Sequence, residues 1–220
     1  MNPVAKRTIT ALTIAAAIVA TILLVPVWVF PPAFGIILVL AAFEFYQLIE
    51  RRVDPKSADG LKVFVPGLIV LAIAFTILPY IAQTRGREIM LYVIAIVKIS
   101  DMGGFAAGLS SAKFMKGGNH KLCPAISPNK SWEGLGGSVL ASLILSWLFM
   151  GMTGFGFWHS ALLGLVAALV GTAGDLVESK FKRWAGVKDS STMSFTNGMG
   201  GILDMFDSLL FAPAVIWALM

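Results

Sequence analysis

A chain of 220 residues that is 57% hydrophobic and only 13% charged, with a mean hydropathy of +0.83, falls outside the range of a water-soluble domain, where charged residues approach about a quarter. Its formal charge of +5 and pI near 9.5 would suit nucleic acid as a partner, but a bilayer explains surplus Lys and Arg without it if they gather on one side. The single cysteine, Cys123, excludes an intrachain disulfide and a cysteine-based zinc cluster.

Apolar runs long enough to cross about 30 Å of hydrocarbon as helices recur along the whole chain. They predict an all-α, polytopic integral membrane protein of about seven spans, at 9–30, 34–49, 63–81, 89–109, 135–152, 157–174 and 199–219. The first follows Lys6 and Arg7 as a secretory signal would. It is longer than a signal core of about 7–15 residues and shows no small-residue cleavage site, so it reads as a retained anchor.

Placing the N-terminus in the cytoplasm puts Lys6, Arg7, Arg51, Arg52, Lys56, Lys62, Lys113, Lys116, Lys121, Lys130, Lys180, Lys182, Arg183 and Lys188 inside. Only Arg85 and Arg87 then lie outside, with Lys98 in a span. This asymmetry is the positive-inside signal, and it accounts for the pI with no nucleic acid. The connections predicted outside, 31–33, 82–88 and 153–156, are short. Those predicted inside, 51–62, 110–134 and 175–198, are long and polar, as functional loops are.

Ionisable groups in a span cost about 2.5–3.5 kcal/mol each on insertion scales, so they mark sites. Asp101 lies toward the inner end of the fourth span, Asp175 and Glu178 at the inner end of the sixth, and Asp204 and Asp207 at the start of the seventh. All five fall on one side of the bilayer. If the sixth helix continues past the membrane surface, Asp175, Glu178, Ser179 and Lys182 share one face, bordered by Arg183. Asp204 and Asp207, three apart, are expected to share a face and to need a cation or base between them. Hard oxygen ligands at such a surface suit Mg²⁺, which binds through one or two carboxylates plus substrate phosphates. Lys98 and Asp101 could neutralise each other. Gly103, Gly104 and Gly108 would let a helix or a ligand approach the backbone closely.

In order and spacing these residues resemble the CDP-diacylglycerol synthase (phosphatidate cytidylyltransferase) family. Gly174, Asp175, Leu176, Glu178, Ser179, Lys182, Arg183, Lys188 and Asp189 follow its GDLxES, SxxKR and KD pattern. Gly200, Gly201, Asp204, Asp207 and Ser208 fit its GGxxDRxDS end. Asp101, Gly103 and Gly108 look like its DTGAYxxG element, and Ser127, Pro128, Lys130, Trp132, Glu133 and Gly134 like its SPxKTWEG loop. Three features depart from the pattern: Met199 stands for the histidine of HGG, Met205 for the arginine of DRxD, and the stretch from Asp189 to Met199 is longer by two residues.

The resemblance implies transfer of a cytidylyl group from CTP or dCTP to phosphatidate, giving CDP-diacylglycerol and pyrophosphate. It implies Mg²⁺, with room for a second cation, on Asp175, Asp204 and Asp207. Lys182, Arg183 and Lys188 would neutralise the phosphates, and Ser127, Lys130 and Glu133 would line the nucleotide side. Glu178, Ser179, Asp189 and Asp101 would complete the substrate site. Residues 1–88 would be generic membrane helices and 89–220 the catalytic membrane domain, with its site facing the cytoplasm of a bacterial inner membrane. A homodimer is compatible with this reading. Its rivals are a CTP-dependent polyprenol or phytol kinase, a non-catalytic lipid-binding paralogue and a cation-coupled transporter.

Overall fold

A computed structural model describes residues 13, 16–115, 118–187 and 201–220. Residues 16–24 are helical (α1). There follow α2 (Phe30–Glu50), α3 (Ala58–Thr84), α4 (Arg87–Phe114), a hairpin of β1 (Lys121–Cys123) and β2 (Ser127–Ser131), α5 (Trp132–Leu148), α6 (Met150–Thr153), α7 (Phe157–Trp184), α8 (Ile202–Phe206) and α9 (Ala212–Leu219). Among the described residues, five segments are long and apolar enough to cross a membrane: Val27–Glu50, Ala58–Thr84, Arg87–Phe114, Phe157–Trp184 and Ile202–Leu219. The predicted fifth span is represented by the shorter α5, and residues 9–12, 14 and 15 of the predicted first lie outside the described residues.

The structure corrects several boundaries. The expected connection at 31–33 is helical, because Pro31 and Pro32 occupy the first turn of α2, where a missing N–H forfeits no intrahelical bond. The break comes earlier, at Pro26 and a single 3₁₀ turn over Val27–Val29. The 51–62 connection is shortened because Ser57 caps α3, its hydroxyl accepting from the Gly60 amide at 3.0 Å. Gly86, at a φ of 97°, turns the chain between α3 and α4. The expectation of an all-helical chain fails at the 110–134 loop, where β1 and β2 pair antiparallel. Ser131 ends β2 and caps α5, accepting from the Gly134 amide at 3.1 Å.

The seventh span is also not one helix. α8 gives way at Phe206 (φ −111°, ψ 5°) to a 3₁₀ turn over Asp207–Leu209 before α9 resumes. Two apolar clusters hold the bundle. One gathers Tyr92, Val93, Ile96 and Val97 of α4 with Leu78, Ile81, Leu163 and Ile216. The other joins Phe45 and Leu48 of α2 to Leu71, Phe75, Leu203 and Leu210.

α4 and α5 meet through small residues. A Cβ on Gly103 would collide with Ala141 Cβ and stand 2.7 Å from the Gly137 carbonyl oxygen, and one on Gly137 would meet Ala107 Cβ and the Gly103 carbonyl. The close approach expected of Gly103 is therefore to a neighbouring helix. Gly103→Val should force the helices apart and lower stability by about 1–3 kcal/mol. A melt of the detergent-solubilised variant within a degree of wild type would show that the interface repacks freely.

Candidate active site

α4, the hairpin, α5 and α7 enclose a cavity of about 510 Å³. Its polar wall includes Asp101, Asn119, Lys121, Ser127, Asn129, Lys130, Thr172 and Asp175, and its apolar wall Phe105, Leu109, Ala112, Leu122 and Leu135. Gly104, Gly108 and Gly134 bring backbone to the same space. Phe105 and Leu109 are also largely exposed on the outside of the bundle, so the cavity borders the surface that faces lipid.

Lys130, delivered by β2, reaches α7: its Nζ lies 2.7 Å from Asp175 Oδ2 and donates to the Thr172 carbonyl at 3.2 Å. Asp175 Oδ1 is buried and finds no hydrogen-bond donor among the described residues. The Asp207 backbone packs on Gly174 of α7, next to Asp175, close enough for the two charges to act on each other. Lys98 joins this group from α4. Its Nζ donates at 3.1 Å to both the Met205 carbonyl and Ser208 Oγ. It also lies 3.9 Å from Asp101 Oδ2 and 4.0 Å from Asp207 Oδ1. Three acids thus surround two bases, Lys98 and Lys130.

A second cluster lies one helical turn further along α7. Lys182 Nζ sits 2.6 Å from Glu178 Oε2 and 2.7 Å from Asp204 Oδ1; Glu178 is buried and the other two side chains are largely so. Asp204 Oδ2 accepts from the Gly201 amide at 3.0 Å. The expectation that Asp204 and Asp207 act as one pair on a continuous helix is corrected here. The break at Phe206 sends Asp204 to Lys182 and Asp207 toward Lys98 and Asp175.

The structure places the other expected residues as follows. Ser127 lines the cavity. Glu133 stands at the start of α5 and accepts from the His120 amide and ring, the ring contact being 2.6 Å. The His120 hydrogen bond, with backbone donors behind it, holds the Glu133 carboxyl down to about 2. Ser179 is half-buried on α7. Arg183 donates to the Val187 carbonyl at 3.2 Å and makes no ion pair among the described residues. Lys188, Asp189 and Met199 lie outside the described residues.

Three participants carry little or no signal in the sequence. Lys98 was read as neutralising Asp101, yet its shortest contacts are to the 205–208 bend. Asn119 and Asn129 carry no signal, because Asn129 reaches the cavity on β2 and Asn119 through its amide, which donates to the Gly108 carbonyl of α4 at 2.8 Å.

Among the described residues no three carboxylate, histidine or cysteine side chains gather closely enough to hold a metal ion alone. The donors nonetheless fit a hard divalent cation that completes its shell from a substrate: Asp175 Oδ1 is a buried carboxylate oxygen with no donor, and Asp207 is beside it.

A model of the cytidylyltransferase family matches residues 55–220. The phosphatidate cytidylyltransferase of Mycobacterium leprae is 35% identical over 180 residues, which cover 78% of this chain and 54% of that protein. Proteins of the same name from Staphylococcus aureus and Staphylococcus haemolyticus are 43% and 40% identical over 134 residues, covering 60% of this chain and 48% of each. The chain spans about half the length of the curated relatives it matches.

Proposed function

The chain belongs to the cytidylyltransferase family, and on that premise we propose that it transfers a cytidylyl group from CTP to phosphatidate, giving CDP-diacylglycerol and pyrophosphate. The observation that carries the reading is the cavity itself. Its Lys130, Asp175 and Asp101 wall suits a metal-bound triphosphate, and its Phe105 and Leu109 wall suits an acyl chain entering from the bilayer.

A phosphate oxygen of phosphatidate attacks the α-phosphorus of CTP, the bond from that phosphorus to the bridging oxygen breaks, and its electron pair leaves with pyrophosphate. The nucleophile is already anionic, so no strong general base is needed. What the protein supplies is placement and charge. Lys130 is held by Asp175 at the cavity wall and can turn to a phosphate oxygen. Lys98 brings a cation to the bend where the family pattern has the arginine replaced by Met205, and so offsets part of that loss. Lys182, Arg183 and Lys188 are assigned to the departing pyrophosphate and the lipid phosphate.

Mg²⁺ would be held by Asp175 and Asp207, with Asp204 joining only by releasing Lys182, and it would neutralise phosphate charge as the oxygens crowd together. The basic residues gathered on one side by the positive-inside reading support a site that faces the cytoplasm, where CTP is available.

Purified protein supplied with Mg²⁺, phosphatidate and CTP labelled in its base should form a labelled lipid that requires both substrates, and dCTP can be compared directly. A phosphorylated lipid without cytidine would point to the kinase reading, and no lipid product at any Mg²⁺ concentration would overturn the enzyme reading.

A further inference from the structure

Glu44 lies in α2, upstream of the residues that the family model matches. It is 1% exposed, and a carboxylate buried in an apolar helix is costly without partners. Its partners are two backbone amides 158 and 159 residues away: Oε1 accepts from Ile202 N at 3.0 Å and Oε2 from Leu203 N at 3.1 Å. These are the first amides of α8, which intrahelical bonding leaves free. The third, on Gly201, is taken by Asp204 Oδ2.

α8 has five residues, too few to be stable alone, so its position is set from outside. Leu203, with Ile202 and Phe206, packs it on the α2 cluster, but apolar packing does not fix rotation about the helix axis. Two bonds from one rigid carboxylate do. That rotation aims Asp204 at Lys182 and starts the bend that carries Asp207 toward Asp175.

We propose that Glu44 is a positioning residue for the reaction: its carboxylate splints the start of α8 and thereby sets where the acids of the 204–207 segment stand in the site. The role rests on the activity proposed above. Glu44 touches neither the cavity nor a group assigned to substrate, so it should act on turnover and leave CTP binding alone.

Glu44→Gln keeps the size but turns one acceptor into an NH₂ that faces an amide N–H. Hydrogen–deuterium exchange of the peptide bearing Ile202 and Leu203 should quicken about tenfold or more, as expected for loss of a charge-assisted hydrogen bond. Exchange in α4 and α5 should be unchanged. Turnover per CTP-binding site should fall about tenfold with the KM for CTP within about twofold of wild type. Glu44→Asp, which keeps the charge on a shorter arm, should fall between the two and also serves if the glutamine variant does not fold. Glu50→Gln, an exposed acid on the same helix, should match wild type.

Unchanged exchange at 202–203 in the folded variant, or exchange raised evenly everywhere with full turnover per site, would overturn the proposal. Should wild-type protein make no cytidine-bearing lipid, the proposed reaction fails, while the exchange measurement still decides whether Glu44 holds α8.

Discussion

Asp175→Asn should lower lipid product formation by at least about 10²–10³-fold, the loss typical of removing one preorganised electrostatic contact in a reaction of this kind. The substitution keeps the side chain's shape. An amide oxygen can still accept from Lys130, and Lys130 retains the Thr172 carbonyl, so the hairpin should stay docked on α7. Charge is what disappears, and with it the buried Oδ1 that has no donor in the folded chain.

In the absence of divalent metal the variant should melt close to wild type, because one of three neighbouring acids has been neutralised. Lys130→Met should do the opposite to stability, since it leaves Asp175 partly buried without its cation. Lipid product assays and detergent melts of the two variants separate these effects. Near-normal turnover of Asp175→Asn at low Mg²⁺ would remove Asp175 from the metal site and make it a structural partner of Lys130.

Lys182→Met should be the most destabilising single change in the site. The ammonium lies between the buried Glu178 and the largely buried Asp204, and its removal leaves two acids without a shared cation. Breaking such a group from one side costs about 3–5 kcal/mol, because the charges left behind have lost water as well as their partner. Glu178→Gln added to Lys182→Met should recover part of the loss by removing one of the stranded charges. Lys182→Arg should preserve folding better than methionine, although a planar fork cannot reproduce two contacts made by a compact ammonium. Thermal melts of the series in one detergent measure the coupling. If Lys182→Met melted like wild type, the three groups would be separately solvated, and the contact between α7 and α8 would not depend on them.

Membrane residence, the approximate course of five spans and the concentration of acids on one side were legible in the amino-acid sequence. The reason is that hydrocarbon tolerates so few polar groups that composition and position nearly dictate the outcome. The close approach at Gly103 was legible too, because only a missing Cβ permits it. The order of motifs likewise pointed to the family, and helical period pointed to the Glu178 and Lys182 contact, since both sit on one uninterrupted helix.

Tertiary structure decided which acid meets which base elsewhere. Lys130 finds Asp175 across 45 residues, Lys98 turns to the 205–208 bend, and Glu44 reaches α8. Periodicity ranks neighbours only within a continuous helix. It failed at Phe206, where a 3₁₀ turn separates Asp204 from Asp207, and it carries no information about the side a second helix presents. Those pairings depend on interhelical packing, which is set by the shapes of many apolar side chains at once.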